Sequence, residues 1–180
     1  MKKYFSLILV SSILSFSLYS CTKTNDVTSP PQPVCDQGCQ DENLAYGIVD
    51  VFVFIWNQNI AGQPAGGKDL TVPGPQGGSI HITGTTEAAD NGINTLHLVF
   101  EMTNCKGFKD QYNLTFNGTI NIDGTFSSTY IARSYTSAQL SYAGTVGKDV
   151  NQEVNGNCPI TINETMPTVS GSICGRTFSY

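Results

Sequence analysis

The sequence predicts a mainly β protein: one antiparallel meander, a strongly curved or barrel-like sheet wrapped on an N-terminal helix at residues 41–60. Three observations carry this. From Ser79 onward apolar and polar residues alternate with period two, the mark of half-buried antiparallel strands. Clusters of Asp, Asn, Gly and Pro break this pattern at short intervals, as hairpin turns do. The segment before it is apolar at helical spacing and suits the concave side of a sheet that curls rather than lying flat.

The elements follow in chain order. Residues 41–60 place Leu44, Ile48, Val51, Phe52 and Ile55 on one helical stripe, behind Asp41 as N-cap and Glu42 in the first turn. A strand remains the alternative, because Val49 to Trp56 is rich in β-branched and aromatic residues. Length and capping favour a buried helix. Residues 61–78 hold nine Gly and Pro residues and read as a loop. They lack the Lys-Ser/Thr of a phosphate-binding loop.

Strand patterns follow at Ile80/Ile82, at Leu96/Leu98/Phe100/Met102 and at Tyr112/Leu114/Phe116/Ile120/Ile122. They continue at Ala138/Leu140/Tyr142/Val146, at Cys158/Ile160/Ile162 and at Val169/Gly171/Ile173. This amounts to about seven or eight strands joined by hairpins. Turns are expected at Asp90-Asn91-Gly92, Asn104 to Gly107, Asp123-Gly124, Gly147, Asn155-Gly156 and Asn163 to Pro167. At Asp123-Gly124 a three-residue loop with a glycine bulge keeps Phe126 on the face of Ile122 and sets Tyr130 near Gly118. Gly84, Gly118, Gly144 and Gly171 fall inside strand patterns, where glycine marks bends in curved sheets.

The N-terminus carries a separate signal. Lys2 and Lys3 precede an apolar run from Tyr4 to Phe16, and Leu18-Tyr19-Ser20-Cys21 follows at once. The run is too short to span a bilayer of about 30 Å. Leu18 at −3, Ser20 at −1 and Cys21 at +1 resemble the lipobox of bacterial lipoproteins. That resemblance implies that residues 1–20 are a cleaved signal peptide and that Cys21 is the lipid-bearing first residue of the mature chain. It implies three acyl chains on Cys21, and multiple chains hold stably where one binds marginally. Thr22 at +2, not Asp, implies the outer membrane by resemblance to Gram-negative sorting. No domain family is identified beyond this segment. Residues 21–40, with Pro30, Pro31 and Pro33, read as a tether reaching roughly 60 Å at about 3.1 Å per residue. Residues 41–180 read as one β-rich domain.

Cleavage leaves 160 of 180 residues, enough for one domain with a real core. It also removes two of nine Lys/Arg against fourteen Asp/Glu, so the mature chain carries about −7. Nucleic acid needs a basic face, so it is excluded as a partner. The expected membrane contact is the lipid alone. Charged residues are 13% of the chain, about half the usual share. Thr, Ser, Asn and Gly take their place, as on extracytoplasmic β proteins.

Setting Cys21 aside leaves Cys35, Cys39, Cys105, Cys158 and Cys174, an odd number in an oxidising compartment. Cys158 and Cys174 are expected to pair, and Cys105 is within reach of Cys35 or Cys39. The Cys35-x3-Cys39 pair lacks the second ligand pair of a zinc site. His81 and His97 would stand opposite one another if the hairpin turned near residue 89. Two imidazoles there, with Glu101 on the same face, could hold a metal, but two solvated residues on a polar sheet face are the favoured reading. No cofactor is expected.

No G-x-S-x-G elbow and no paired carboxylates mark a hydrolase. Glu101 and Asp123 fall on solvent positions. The sequons at Asn113, Asn117 and Asn163 lie in strands and carry no weight in a bacterial lipoprotein. The expectation is therefore a non-enzymatic, envelope-anchored binding or interaction module. One version holds a small apolar ligand inside the curved sheet. Another is a surface adhesin or an inhibitor of a partner enzyme.

Overall fold

The computed structural model describes residues 34–88, 94–127 and 131–180. The signal peptide, Cys21, most of the tether, the Asp90-Asn91-Gly92 turn and Tyr130 lie outside them. Helix α1 spans Gln37–Ile55 and runs into a π-helical turn, Trp56–Ile60. Eight strands follow: β1 Gly66–Pro73, β2 Ser79–Ala88, β3 Asn94–Lys109, β4 Tyr112–Phe126, β5 Ile131–Val146, β6 Gln152–Thr165, β7 Thr168–Ile173 and β8 Arg176–Ser179. All pair antiparallel in the order β1 to β8, so the sheet is a meander with two free edges, curved but not closed.

The helical reading of 44–56 holds, and so does its stripe. Leu44, Ile48, Val51, Phe52 and Ile55 are at most 3% exposed and pack on the concave face. A helix fits where a strand would not, because the segment must fill a trough rather than extend an edge. Gly47 lets it sit close: a Cβ there would lie 3.0 Å from Leu114 Cδ1 and 3.2 Å from Phe116 Cζ. The start of the helix differs from expectation. Asp36, not Asp41, is the N-cap, its carboxylate accepting from the Cys39 amide at 2.9 Å. Asp41 is instead buried in the second turn, where it meets Arg176. Residues 35–40, assigned to the tether, therefore belong to the domain, and Cys35 is 2% exposed.

The strand faces follow the expected alternation. Ile80, Ile82, Leu96, Leu98, Phe100, Leu114, Phe116 and Ile122 are all at most 2% exposed. Ala138 is the exception and is exposed, because the register shifts between Ser137 and Leu140. Matching irregularities occur in β3 between Met102 and Cys105 and in β4 between Gly118 and Asn121. The register thus shifts in three successive strand pairings close together, and such bulges bend a sheet. Gly84, Gly118, Gly144 and Gly171, expected at bends, take φ from 118° to 157° within strands.

Several expected turns are strand instead. The 61–78 loop contains edge strand β1. Its glycines read as a loop because an edge strand has one partner and buries little, so Val72 is its one fully buried side chain. Asn104 to Gly107 passes through the β3 bulge, with Asn104 at φ 49° absorbing the irregularity. Asn155-Gly156 lies inside β6, where the missing Cβ leaves room for the Tyr142 hydroxyl. Asp123-Gly124 is also strand. β4 runs on to Phe126, which pairs with Ile131, so the hairpin turns later. Gly124 is needed for close strand approach: a Cβ there would stand 2.1 Å from the Ala132 carbonyl oxygen. Phe126 does share the face of Ile122, but by simple alternation along an unbroken strand.

Candidate functional site

Position along α1 sorts its side chains into two settings. The C-terminal half and the π turn close one end of the trough with Phe52, Trp56 and Phe126, whose rings meet at 5.3–6.1 Å. Arg133 lies inside this cluster with a fully buried side chain, its guanidinium 4.6 Å from the ring centres of both Phe52 and Phe126. Its cross-strand partner Glu164 takes Nε at 3.1 Å and Nη2 at 2.6 Å on one oxygen. The Tyr135 hydroxyl donates to that same oxygen at 2.9 Å. Burial holds the Tyr135 phenol well above its ordinary pKa, and the Glu164 carboxylate adds to this while Arg133 opposes it. Arg133 Nη1 has no partner. A desolvated cation held between rings and a carboxylate is a structural knot; it lines none of the clefts described below.

Alternation hides this knot in the sequence. Arg133 and Tyr135 share a face, and Glu164 continues the face of Ile160 and Ile162. Two opposite charges in phase with apolar faces of adjacent strands were the available signal.

The flank of α1 away from the core stripe borders open space, chiefly in the N-terminal half. Residues Cys39, Glu42, Asn43, Tyr46 and Asp50 fall on one helical stripe. They face Phe108 to Gln111 at the β3–β4 hairpin and Gly147-Lys148 after β5 across a cleft of about 880 Å³. A hollow of about 120 Å³ continues it past Phe108 to Phe54, Pro75 and Gln76. Phe108 is 57% exposed and Phe54, near the C-terminus of α1, 42%, so two aromatic rings stand in water along this flank.

The polar groups of the cleft are unevenly satisfied. Asp50 is engaged on both oxygens, by Lys109 Nζ at 2.6 Å and the Tyr112 hydroxyl at 2.6 Å. Burial, then the bond to Asp50, keeps the Tyr112 phenol protonated far above its ordinary range. Tyr46 is raised more mildly, by burial first and then by the Glu42 carboxylate beside it. Asn43 is 8% exposed. Its Nδ2 donates to the Cys39 carbonyl at 2.8 Å, which fixes the amide orientation. Its Oδ1 is buried with no partner.

Cross-links frame this end. Cys35 and Cys39 are joined across the first turn of α1. Neither pairs with Cys105, which is a buried free thiol whose pKa burial pushes up to about 12. Cys158 and Cys174 are joined as expected. Asp41 holds Arg176 by two bonds of 2.8 and 3.0 Å, tying α1 to β8.

The histidines do not face one another. Ala88 pairs with Asn94, which leaves residues 89–93 as the connection and shifts the register from the one that a turn near 89 requires. His81 pairs with Glu101 and His97 with Thr85, about 13 Å apart along the strand. Each imidazole is matched to carboxylates on the outer face. His81 Nε2 lies 2.9 Å from Asp69 and Nδ1 3.5 Å from Glu101; His97 Nδ1 lies 2.9 Å from Asp123. Among the described residues no group of three His, Cys, Asp or Glu side chains is arranged to hold a metal ion. No described helix is long and apolar enough to cross a membrane.

Comparison of the chain with protein-family models, with curated proteins and with solved structures finds no match.

Proposed function

We propose that the chain is an envelope lipoprotein, anchored through Cys21, whose β domain binds a ligand without transforming it. The observation that carries the binding reading is the contrast around α1. The concave side of the sheet is occupied by Leu44, Ile48, Phe52 and Ile55, while the opposite flank of the same helix lines an open cleft with an unmatched polar atom. A ligand held inside the sheet would have to displace the helix. The cleft needs no such change. The exposed Phe54 and Phe108 favour a second reading, in which the same flank meets a protein partner such as a host enzyme.

The lipid anchor is tested by expressing the full chain in a Gram-negative host fed an alkyne-tagged fatty acid. The account expects label and membrane fractionation for the native chain and loss of both for Cys21→Ser. Label that survives Cys21→Ser contradicts the anchor. Binding is tested separately by denaturing the purified full chain and identifying released small molecules by mass spectrometry. A ligand released by the native chain but not by Phe108→Ala is expected; release that ignores this substitution contradicts the cleft.

A further inference from the structure

We infer that the cleft beside α1 is a subsite for a primary ammonium group carried on an apolar stem. The inference deepens the binding reading above and rests on it. Asn43 Oδ1 comes first. It is a hydrogen-bond acceptor that the fold buries without a donor, and a buried unpaired acceptor is costly unless something supplies one. A flipped amide is no remedy, since it would turn Oδ1 toward the Cys39 carbonyl that Nδ2 now satisfies. Asn43 is among the residues that line the cleft, the nearest open space from which a donor could come.

The surroundings choose the donor. Glu42, Asp50 and Asp110 line the cleft against Lys109 and Lys148, three carboxylates to two ammonium groups. Asp50 is already spent on Lys109 and Tyr112. Glu42, about two turns before Asp50 and beside Asn43, meets the Tyr46 hydroxyl and keeps carboxylate lone pairs for a cation. An ammonium group carries three donors and no acceptor, so it suits an amide oxygen and a carboxylate together. Tyr46 and the exposed Phe108 supply ring surfaces for the cation and its stem. An anionic ligand would meet Glu42 and find no donor from Asn43 Oδ1.

The test is isothermal titration of the full chain, purified in detergent, with benzylammonium chloride. Benzyl alcohol and benzoate are the uncharged and anionic controls. Saturable binding of benzylammonium is expected, with the alcohol and benzoate at least about tenfold weaker. Asn43→Leu and Glu42→Gln are each expected to weaken benzylammonium by about tenfold. Glu42 lies on the helix surface, so Glu42→Gln keeps the test alive if Asn43→Leu unfolds. Equal binding of alcohol and ammonium, or binding unchanged in Glu42→Gln, overturns the ammonium assignment. So does silence from all three probes. None of these outcomes touches the binding reading, which stands or falls on the released-ligand measurement.

Discussion

The two ends of α1 are stabilised by different physics. At the C-terminal end, packing does it: Phe52, Ile55 and Trp56 are at most 6% exposed, and Arg133 is sandwiched among aromatic rings. At the N-terminal end, where Leu44, Ala45 and Ile48 are also buried, clamps are added to packing: the Cys35–Cys39 bond and the Asp41–Arg176 ion pair, with Cys174 of the second disulfide bordering a hollow beside Gln37 and Leu44. Packing consumes surface, since every buried side chain covers its neighbours. Clamps hold a helix from its edge and leave its outer flank uncovered. The difference therefore separates a sealed end from one free to bind, within one helix.

The contrast breaks most visibly at the packed end. Glu164→Leu strands Arg133 as an unpaired buried cation. Removing one partner of a buried pair costs about 3–5 kcal/mol, so chemical denaturation should show a loss of that size. Arg133→Met with Glu164→Leu should recover most of it, because no lone charge is left. Failure of the double variant to recover would mean that the rings, not the ion pair, depend on Arg133.

The clamped end should respond less and by loop length. Reducing Cys158–Cys174, separated by sixteen residues, should cost about 3 kcal/mol and Cys35–Cys39 about 2 kcal/mol through the entropy of the unfolded chain. Cys158→Ser/Cys174→Ser and Cys35→Ser/Cys39→Ser melts compare them directly. A larger loss for the short loop would show that the first turn of α1 holds more of the domain than its contacts suggest.

Much of the packed end was legible in sequence, and much of the open end was not. The stripe Leu44 to Ile55 and the strand alternations state which atoms leave water, and that drive dominates both helix and sheet. Asp41 was misread because an acidic residue ahead of an apolar stripe looks like a cap; only the fold reveals Arg176 waiting 135 residues away. The Asp-Gly and Asn-Gly pairs were misread because glycine serves both turns and crowded strand crossings, and local sequence does not say which. Asn43 was silent. A polar residue on a helix flank looks solvated until the β3–β4 hairpin is placed across from it.

Asn43→Leu should sharpen the contrast further. Removing an unmatched buried acceptor is expected to leave the midpoint of thermal unfolding level or raise it by roughly 2–4 °C. A functional atom kept at some cost in stability gives this pattern, whereas a structural one gives a fall.

The smallest effect belongs to the outer face, away from both ends. The hydrogen bond that the His81 ring donates to Asp69, then that to Glu101, raises the His81 pKa above the ordinary 6.5. The folded state thus binds the proton more tightly than the unfolded chain does. The stability that this adds is complete below about pH 6.5 and is lost as pH rises through the raised folded value. His81→Gln should flatten that part of the melting profile. An unchanged pH dependence in the variant would assign it to other groups.

Hydrogen exchange of the full chain, with and without benzylammonium chloride, tests the central contrast most directly. The account predicts added protection at residues 39–50 and 108–111 and none at residues 52–60 or 131–137. Protection gained at the aromatic end, or spread evenly along α1, would contradict a helix sealed at one end and open to ligand at the other.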